Sequence, residues 1–146
     1  MITLNNIKKI LNTLDNPVKK SRVYGSNNIN TYILLEDLKI ELSNLQTILI
    51  PKGYIWDLAS VPRFLWALVP PDSDAEISFV IHDYLYQHHV ELDITFEFAN
   101  TEMLIWSKVT NGTSSKLSIR NLDNYARYYA VKFFGRGVFN KNKIKW

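Results

Sequence analysis

The sequence predicts an α+β fold, with a small, mostly antiparallel sheet in the N-terminal half followed by a three-helix C-terminal half. Three observations carry that expectation. Residues 20–57 hold short β-branched and aromatic runs punctuated by glycine, proline and asparagine, which is strand-and-turn grammar. From residue 75 onward the apolar residues recur at three- and four-residue steps, the period of helices with a buried face. Composition permits a core: 47% of the 146 residues are hydrophobic and only 21% are charged.

The elements follow in order. Residues 3–14 place Leu4, Ile7, Ile10, Leu11 and Leu14 at helical spacing behind Thr3 as cap, and Pro17 stops the helix. Arg22-Val23-Tyr24 is a strand signal closed by the turn-rich Gly25-Ser26-Asn27-Asn28. Thr31–Leu35 and Lys39–Leu42 flank Glu36-Asp37-Leu38 as a hairpin would. Thr47–Ile50 and Tyr54–Trp56 flank Pro51-Lys52-Gly53, whose proline and glycine suit a tight turn. Pro70-Pro71-Asp72-Ser73-Asp74 is a loop, and either aspartate suits the cap of a helix over 75–88. That helix carries Ile77, Val80, Ile81, Tyr84, Leu85 and His88 and reads as buried on most sides. A second helix is expected over 93–109, broken by Asn111-Gly112-Thr113, and a third over about 116–134, ended by Gly135-Arg136-Gly137.

No repeat or long linker divides the chain, so one domain is expected over 1–146: an N-terminal helical segment at 1–19, a core at 20–137 and a loose basic tail at 138–146. The absence of cysteine excludes disulfides and zinc–thiolate sites. The first residues lack a signal-peptide plan and no apolar run is long enough to span a bilayer, so synthesis in a reducing cytoplasm is expected. The net charge of +3 hides an asymmetry. Residues 1–25 carry five basic residues against one acidic, and 26–110 carry four against twelve. Residues 111–146 carry eight basic residues against Asp123 alone. That last segment is either a solvated face or a seeker of acidic surfaces, nucleic acid among them.

Three features bear on chemistry. Asp57, Ser60 and Arg63 sit in Trp56-Asp57-Leu58-Ala59-Ser60-Val61-Pro62-Arg63, where Pro62 prevents a regular helix. They serve either as caps and an ion pair or, for Asp57, as a ligand oxygen or orienting carboxylate. His82-Asp83 lies on the central helix. Adjacent helical residues diverge by about 100°, so these two do not share one ligand simply, whereas His82 and Tyr86 face the same side. A buried histidine held by hydrogen bonds and a general base beside a cation-holding acid both fit this pattern. His88-His89 with Glu91 and Asp93 forms a weaker metal-like set at a helix C-terminus, where the helix dipole favours histidine anyway. No Gly-rich phosphate loop, G-x-S-x-G elbow or H-E-x-x-H stands in the chain.

Ile50-Pro51-Lys52-Gly53-Tyr54-Ile55-Trp56-Asp57-Leu58-Ala59-Ser60-Val61-Pro62-Arg63 followed by His82-Asp83-Tyr84-Leu85-Tyr86 resembles domain-of-unknown-function family 1353 of phages and prophages, over roughly 31–137. The resemblance implies a phage origin and no established activity. A looser, local similarity links the His82-Asp83 helix to phospholipase A2. It implies His82 as base, Asp83 as calcium ligand with Asp57 as a further oxygen, and Asn100 where that family has an orienting aspartate on the facing helix. Asn100 keeps a hydrogen bond to imidazole but does not stabilise imidazolium as a carboxylate does, and the glycine-rich calcium loop is absent.

The expectation is therefore a phage or prophage accessory protein, virion-associated, non-catalytic or weakly catalytic, made in the host cytoplasm and needing no cofactor. Its partners would be other phage proteins, with an acidic surface or nucleic acid reached through the basic C-terminal segment. The alternative is a calcium-dependent hydrolase acting on phospholipid as the phage infects or lyses its host.

Overall fold

The computed structural model describes residues 1–13, 16–23, 31–57, 76–110 and 119–141, with the backbone alone for 119–123. The chain divides into two compact units, Met1–Asp57 and Leu58–Trp146.

The first unit is the β half. Its helix α1 spans only Ile7–Leu11. The chain before it is bound otherwise: Ile2 lies along a strand, donating to the Lys39 carbonyl at 2.8 Å and accepting from the Glu41 N–H at 2.9 Å. Thr3 and Asn6 then close a reciprocal turn, the Thr3 N–H donating to Asn6 Oδ1 and the Asn6 N–H to Thr3 Oγ1. Those bonds delay the helix expected from residue 3.

Five short strands follow: β1 Lys20–Arg22, β2 Tyr32–Leu34, β3 Leu38–Glu41, β4 Thr47–Ile50 and β5 Ile55–Trp56. They form two antiparallel sheets, β1-β2-β5 and β3-β4. Four of the strands stand within a residue or so of where the sequence places them, while β1 lies at 20–22 and not at the expected 22–24, and the expected hairpin of 31–35 with 39–42 does not form. The reason is edge occupancy: β1 takes one edge of β2 and β5 the other, leaving none for β3. Strand β3 instead turns through Ser43–Gln46, where Leu45 adopts φ 68° and Asn44 Oδ1 accepts the Gln46 N–H. The Pro51-Lys52-Gly53 turn does form, with Gly53 at φ 87° and the Tyr54 N–H donating to the Pro51 carbonyl. It hands the chain from one sheet to the other. Period-two patterning is satisfied in each sheet: Leu38 faces Ile50 and Ile40 faces Ile48, all four buried, while Lys39 and Leu49 point outward.

The second unit is helical. Helix α2 runs Glu76–Gln87, with ten of its twelve residues buried. A short α3, His89–Leu92, ends on Asp93 in the left-handed conformation. Helix α4, Phe96–Thr110, starts where Thr95 Oγ1 accepts the Phe98 N–H. Helix α5 spans Ile119–Phe134 and, after a bend at Gly135, α6 spans Arg136–Lys141. The residues expected to begin a loose tail are thus helical as far as Lys141. Phe139 explains this, for its ring is buried edge-on to Tyr86 and Phe96 and stacked 3.8 Å from His89.

Helices α2 and α4 pack against each other, with buried Ser107 Oγ donating to buried Ser78 Oγ at 2.9 Å. Polar groups taken into this core are partnered: the Trp106 indole donates to Glu102 at 3.0 Å, and Thr110 Oγ1 donates to the Trp106 carbonyl. Lys108 on α4 reaches Tyr125 Oη on α5 at 2.8 Å, and Arg127 of α5 lies over the Phe79 ring of α2.

Gly135 is a fixed point of this unit. A Cβ there would collide with the Tyr86 hydroxyl and the Val131 carbonyl. Gly135→Ala is therefore expected to destabilise the protein by about 1–3 kcal/mol through overpacking, read as a lowered midpoint in denaturant. A variant as stable as wild type would show that the Tyr86–Gly135 approach is slack.

Candidate functional site

Helix α2 presents His82 and Tyr86 on one side because they stand four residues apart, and their rings lie 4.0 Å apart between centroids. Helix α4 presents Asn100 from a buried row that includes Phe96, Ala99, Met103 and Trp106. The packing of the two helices brings the three together. His82 Nε2 donates to Asn100 Oδ1 at 2.9 Å, and Tyr86 Oη donates to the same oxygen at 2.6 Å. All three are almost fully buried, at 3%, 1% and 2% exposure. An amide oxygen only accepts, so the network assigns the imidazole proton to Nε2 and the lone pair to Nδ1.

Burial dominates the electrostatics. Desolvation lowers the His82 pKa to about 4, against a smaller upward pull from the Asn100 hydrogen bond. Burial likewise pushes the Tyr86 phenol well above its ordinary range, opposed by its bond to Asn100 and the charge of Arg136. The site at neutral pH is an uncharged imidazole, phenol and amide. An imidazole with a pKa near 4 is a weak proton acceptor, because general bases work best when their pKa lies close to the working pH.

The other expected site residues fall elsewhere. Asp83 is buried on a different side of α2, where its carboxylate accepts from Gln87 Nε2 at 3.0 Å. Asp57 closes the first unit just after β5 and is half-buried. Ser60 and Arg63 lie outside the described residues. His88 and His89 diverge: the former pairs with Glu91 at 2.8 Å, and the latter turns inward, its Nδ1 donating to the Tyr86 carbonyl. Among the described residues no three His, Asp or Glu side chains gather as a metal site.

A pocket of 170 Å³ opens against the outer side of Asn100. Phe96, Tyr128 and Phe133 wall it, and Glu97, Lys132 and Arg136 complete the lining. Arg136 lies over the Phe96 ring and pairs with Glu97 at 2.9 Å. The sequence reading singled out Asn100 but missed these neighbours. Their one visible signal is Tyr128, Lys132 and Arg136 at four-residue steps, a spacing that carries over from α5 into α6 across the bend at Gly135.

A family model for a protein of unknown function, DUF1353, matches residues 32–118, more than half of the chain. The match spans β2 through α4, including His82, Tyr86 and Asn100, and stops short of the 31–137 expected from the motifs. No curated protein and no solved structure matches the chain.

Burial of a neutral histidine gives a pH signature. The His82 pKa falls from 6.5 to about 4 on folding, so the unfolded chain binds the extra proton between those values. The group therefore adds no destabilisation above about pH 6.5, and stability is lost as pH falls from there towards 4, on the order of 3 kcal/mol in total. His82→Gln is expected to flatten this part of the pH profile in denaturant melts. A wild-type profile already flat across that window would contradict the buried neutral imidazole. His82→Ala is expected to cost about 1–3 kcal/mol at pH 7, through lost packing and a broken network.

Proposed function

The chain belongs to the DUF1353 family, and we propose that it serves as a non-catalytic or weakly catalytic accessory component of a phage or prophage particle, binding other particle proteins through the aromatic and basic side of α5. The observation that carries this reading is the exposure of large rings where a helix facing only water would be polar. Phe133 is 69% exposed, Phe134 54% and Tyr129 47%, and Tyr129 stacks with Phe133. Lys132 lies over the Tyr129 ring, so cation and aromatic are interleaved. Exposed clusters of aromatic rings are enriched at interfaces, with charged groups such as Lys132 belonging to the polar rim. The phage setting rests on the motif resemblance, and the eight basic residues of 111–146 favour an acidic partner surface, or nucleic acid as a second target.

Three properties of the His82 site support a structural role: a weakly basic imidazole, an amide in place of an orienting carboxylate, and nearly complete burial. No helix among the described residues is long and apolar enough to cross a membrane. The calcium-dependent hydrolase reading keeps one point in its favour, the His82–Asn100 bond across two helices.

Both readings meet in one set of measurements. Wild-type protein should co-purify with intact particles, and the surface variant Phe133→Glu/Phe134→Glu should be depleted from them by about ten-fold or more, as a lost hot spot requires. Equal incorporation of the two overturns the α5 assignment. Calcium-dependent release of fatty acid from phospholipid vesicles, abolished in His82→Gln, would overturn the non-catalytic reading.

A further inference from the structure

Asn100 links the buried network to the pocket on its outer side. Its Oδ1 is occupied by two inward donors, His82 and Tyr86. Its side-chain amide NH2 makes no hydrogen bond among the described residues, although Asn100 is 2% exposed and lines the pocket. With Oδ1 turned inward by two bonds, the planar amide sends Nδ2 the opposite way, towards the pocket. A fixed donor at the base of an apolar-walled cavity is the usual means by which a binding site sets ligand orientation.

The rest of the lining narrows the ligand class. Phe96, Tyr128 and Phe133 supply flat apolar walls. The 170 Å³ volume is close to that of the roughly 150 Å³ cavities that accept a benzene ring. Arg136 and Glu97 offset each other as an ion pair, while Lys132 makes no ion pair among the described residues. The pocket therefore carries one uncompensated positive charge beside one amide donor.

The geometry points to a binding site for a ring-sized aromatic group bearing a single carboxylate, with Asn100 Nδ2 and Lys132 Nζ as its donors and His82 and Tyr86 as the positioning residues behind Asn100. The ring lies between the aromatic side chains and the carboxylate meets the donors. This assignment rests on the structural reading of the His82 network, for it makes that network the backing of a recognition site. A free aromatic acid and a polypeptide ending in phenylalanine offer the same chemistry.

The test uses the purified full chain and no phage particle, so its result is separate from that of particle association. Benzoate, benzamide and an acetylated tripeptide ending in phenylalanine are titrated while the side-chain amide resonances of Asn100 are followed by NMR. Benzoate should give saturable shifts with Kd on the order of 1 mM, as its few heavy atoms allow, and uncharged benzamide should bind about ten-fold more weakly. Tighter binding of the tripeptide than of benzoate assigns the source to a chain terminus, and the reverse order to a free acid. Lys132→Gln, at an exposed position, should weaken benzoate by about ten-fold with the fold intact. Asn100→Asp keeps an acceptor for His82 and Tyr86 but turns a carboxylate oxygen towards the pocket, and should abolish benzoate binding. His82→Gln should weaken benzoate while broadening the Asn100 amide signals, a change that loss of stability alone would not confine to that group. Absence of saturable shifts up to ~20 mM benzoate in folded wild type, or equal binding of benzoate and benzamide, overturns the assignment.

Discussion

One amide oxygen holds the helical unit in register. Asn100 Oδ1 accepts from an imidazole and a phenol that reach it from successive turns of α2, and all three groups are buried. Sliding α4 along α2 by one turn would strand three polar groups in the core, each costing about 1–3 kcal/mol. Apolar contacts alone tolerate such slips far better, because a leucine or phenylalanine is indifferent to which apolar neighbour it meets. The phenol has a second constraint at its tip, where it fills the space a side chain at Gly135 would need. Helix α6 is fixed in turn, since Phe139 packs on the Tyr86 ring. Asn100, Tyr86, Gly135 and Phe139 thus form one chain of dependence from α4 through α2 to α6.

Much of this fold was legible in the sequence, and the unreadable part has identifiable causes. The change from period two to period three-and-four located the β half and the helical half, and the pairing of His82 with Asn100 followed from helical spacing and a family likeness. Strand partners were not legible. Leu34 and Leu38 both read as strand residues, but nothing local says that β2 has its two edges already filled by β1 and β5. Gly135 was correctly seen as a break. Helix α5 does end there, at Phe134, but the further helix α6 was not legible, because the ring of Phe139 that draws the chain back into the core makes long-range contacts. The pocket escaped notice for the same reason: Phe96, Glu97 and Asn100 come from α4 and the remaining walls from α5 and α6, so its lining exists only once the helices have packed.

The same buried network bears on chemistry in two opposing ways. Burying His82 between Asn100 and Tyr86 holds it oriented, as a catalytic base must be. It also strips the imidazole of its basicity, and Asn100 supplies no negative charge to restore it. A histidine beside an aspartate on a helix is thus an incomplete sign of acid–base chemistry. The hydration of the ring and the charge of its second partner decide between catalyst and strut. Asp83 illustrates the point, for although adjacent in sequence it bonds to Gln87 on another side of the helix.

The edge of the three-stranded sheet has a consequence of its own. Strand β1 is only three residues long and carries Lys20 and Arg22, whose cationic groups lie over the Tyr32 ring of the neighbouring strand. Short, positively charged margins resist the templated growth by which an open sheet recruits another chain. This border therefore disfavours β-augmentation by a second chain, a safeguard against fibril growth that lies in the strand's length and charge and not in its burial.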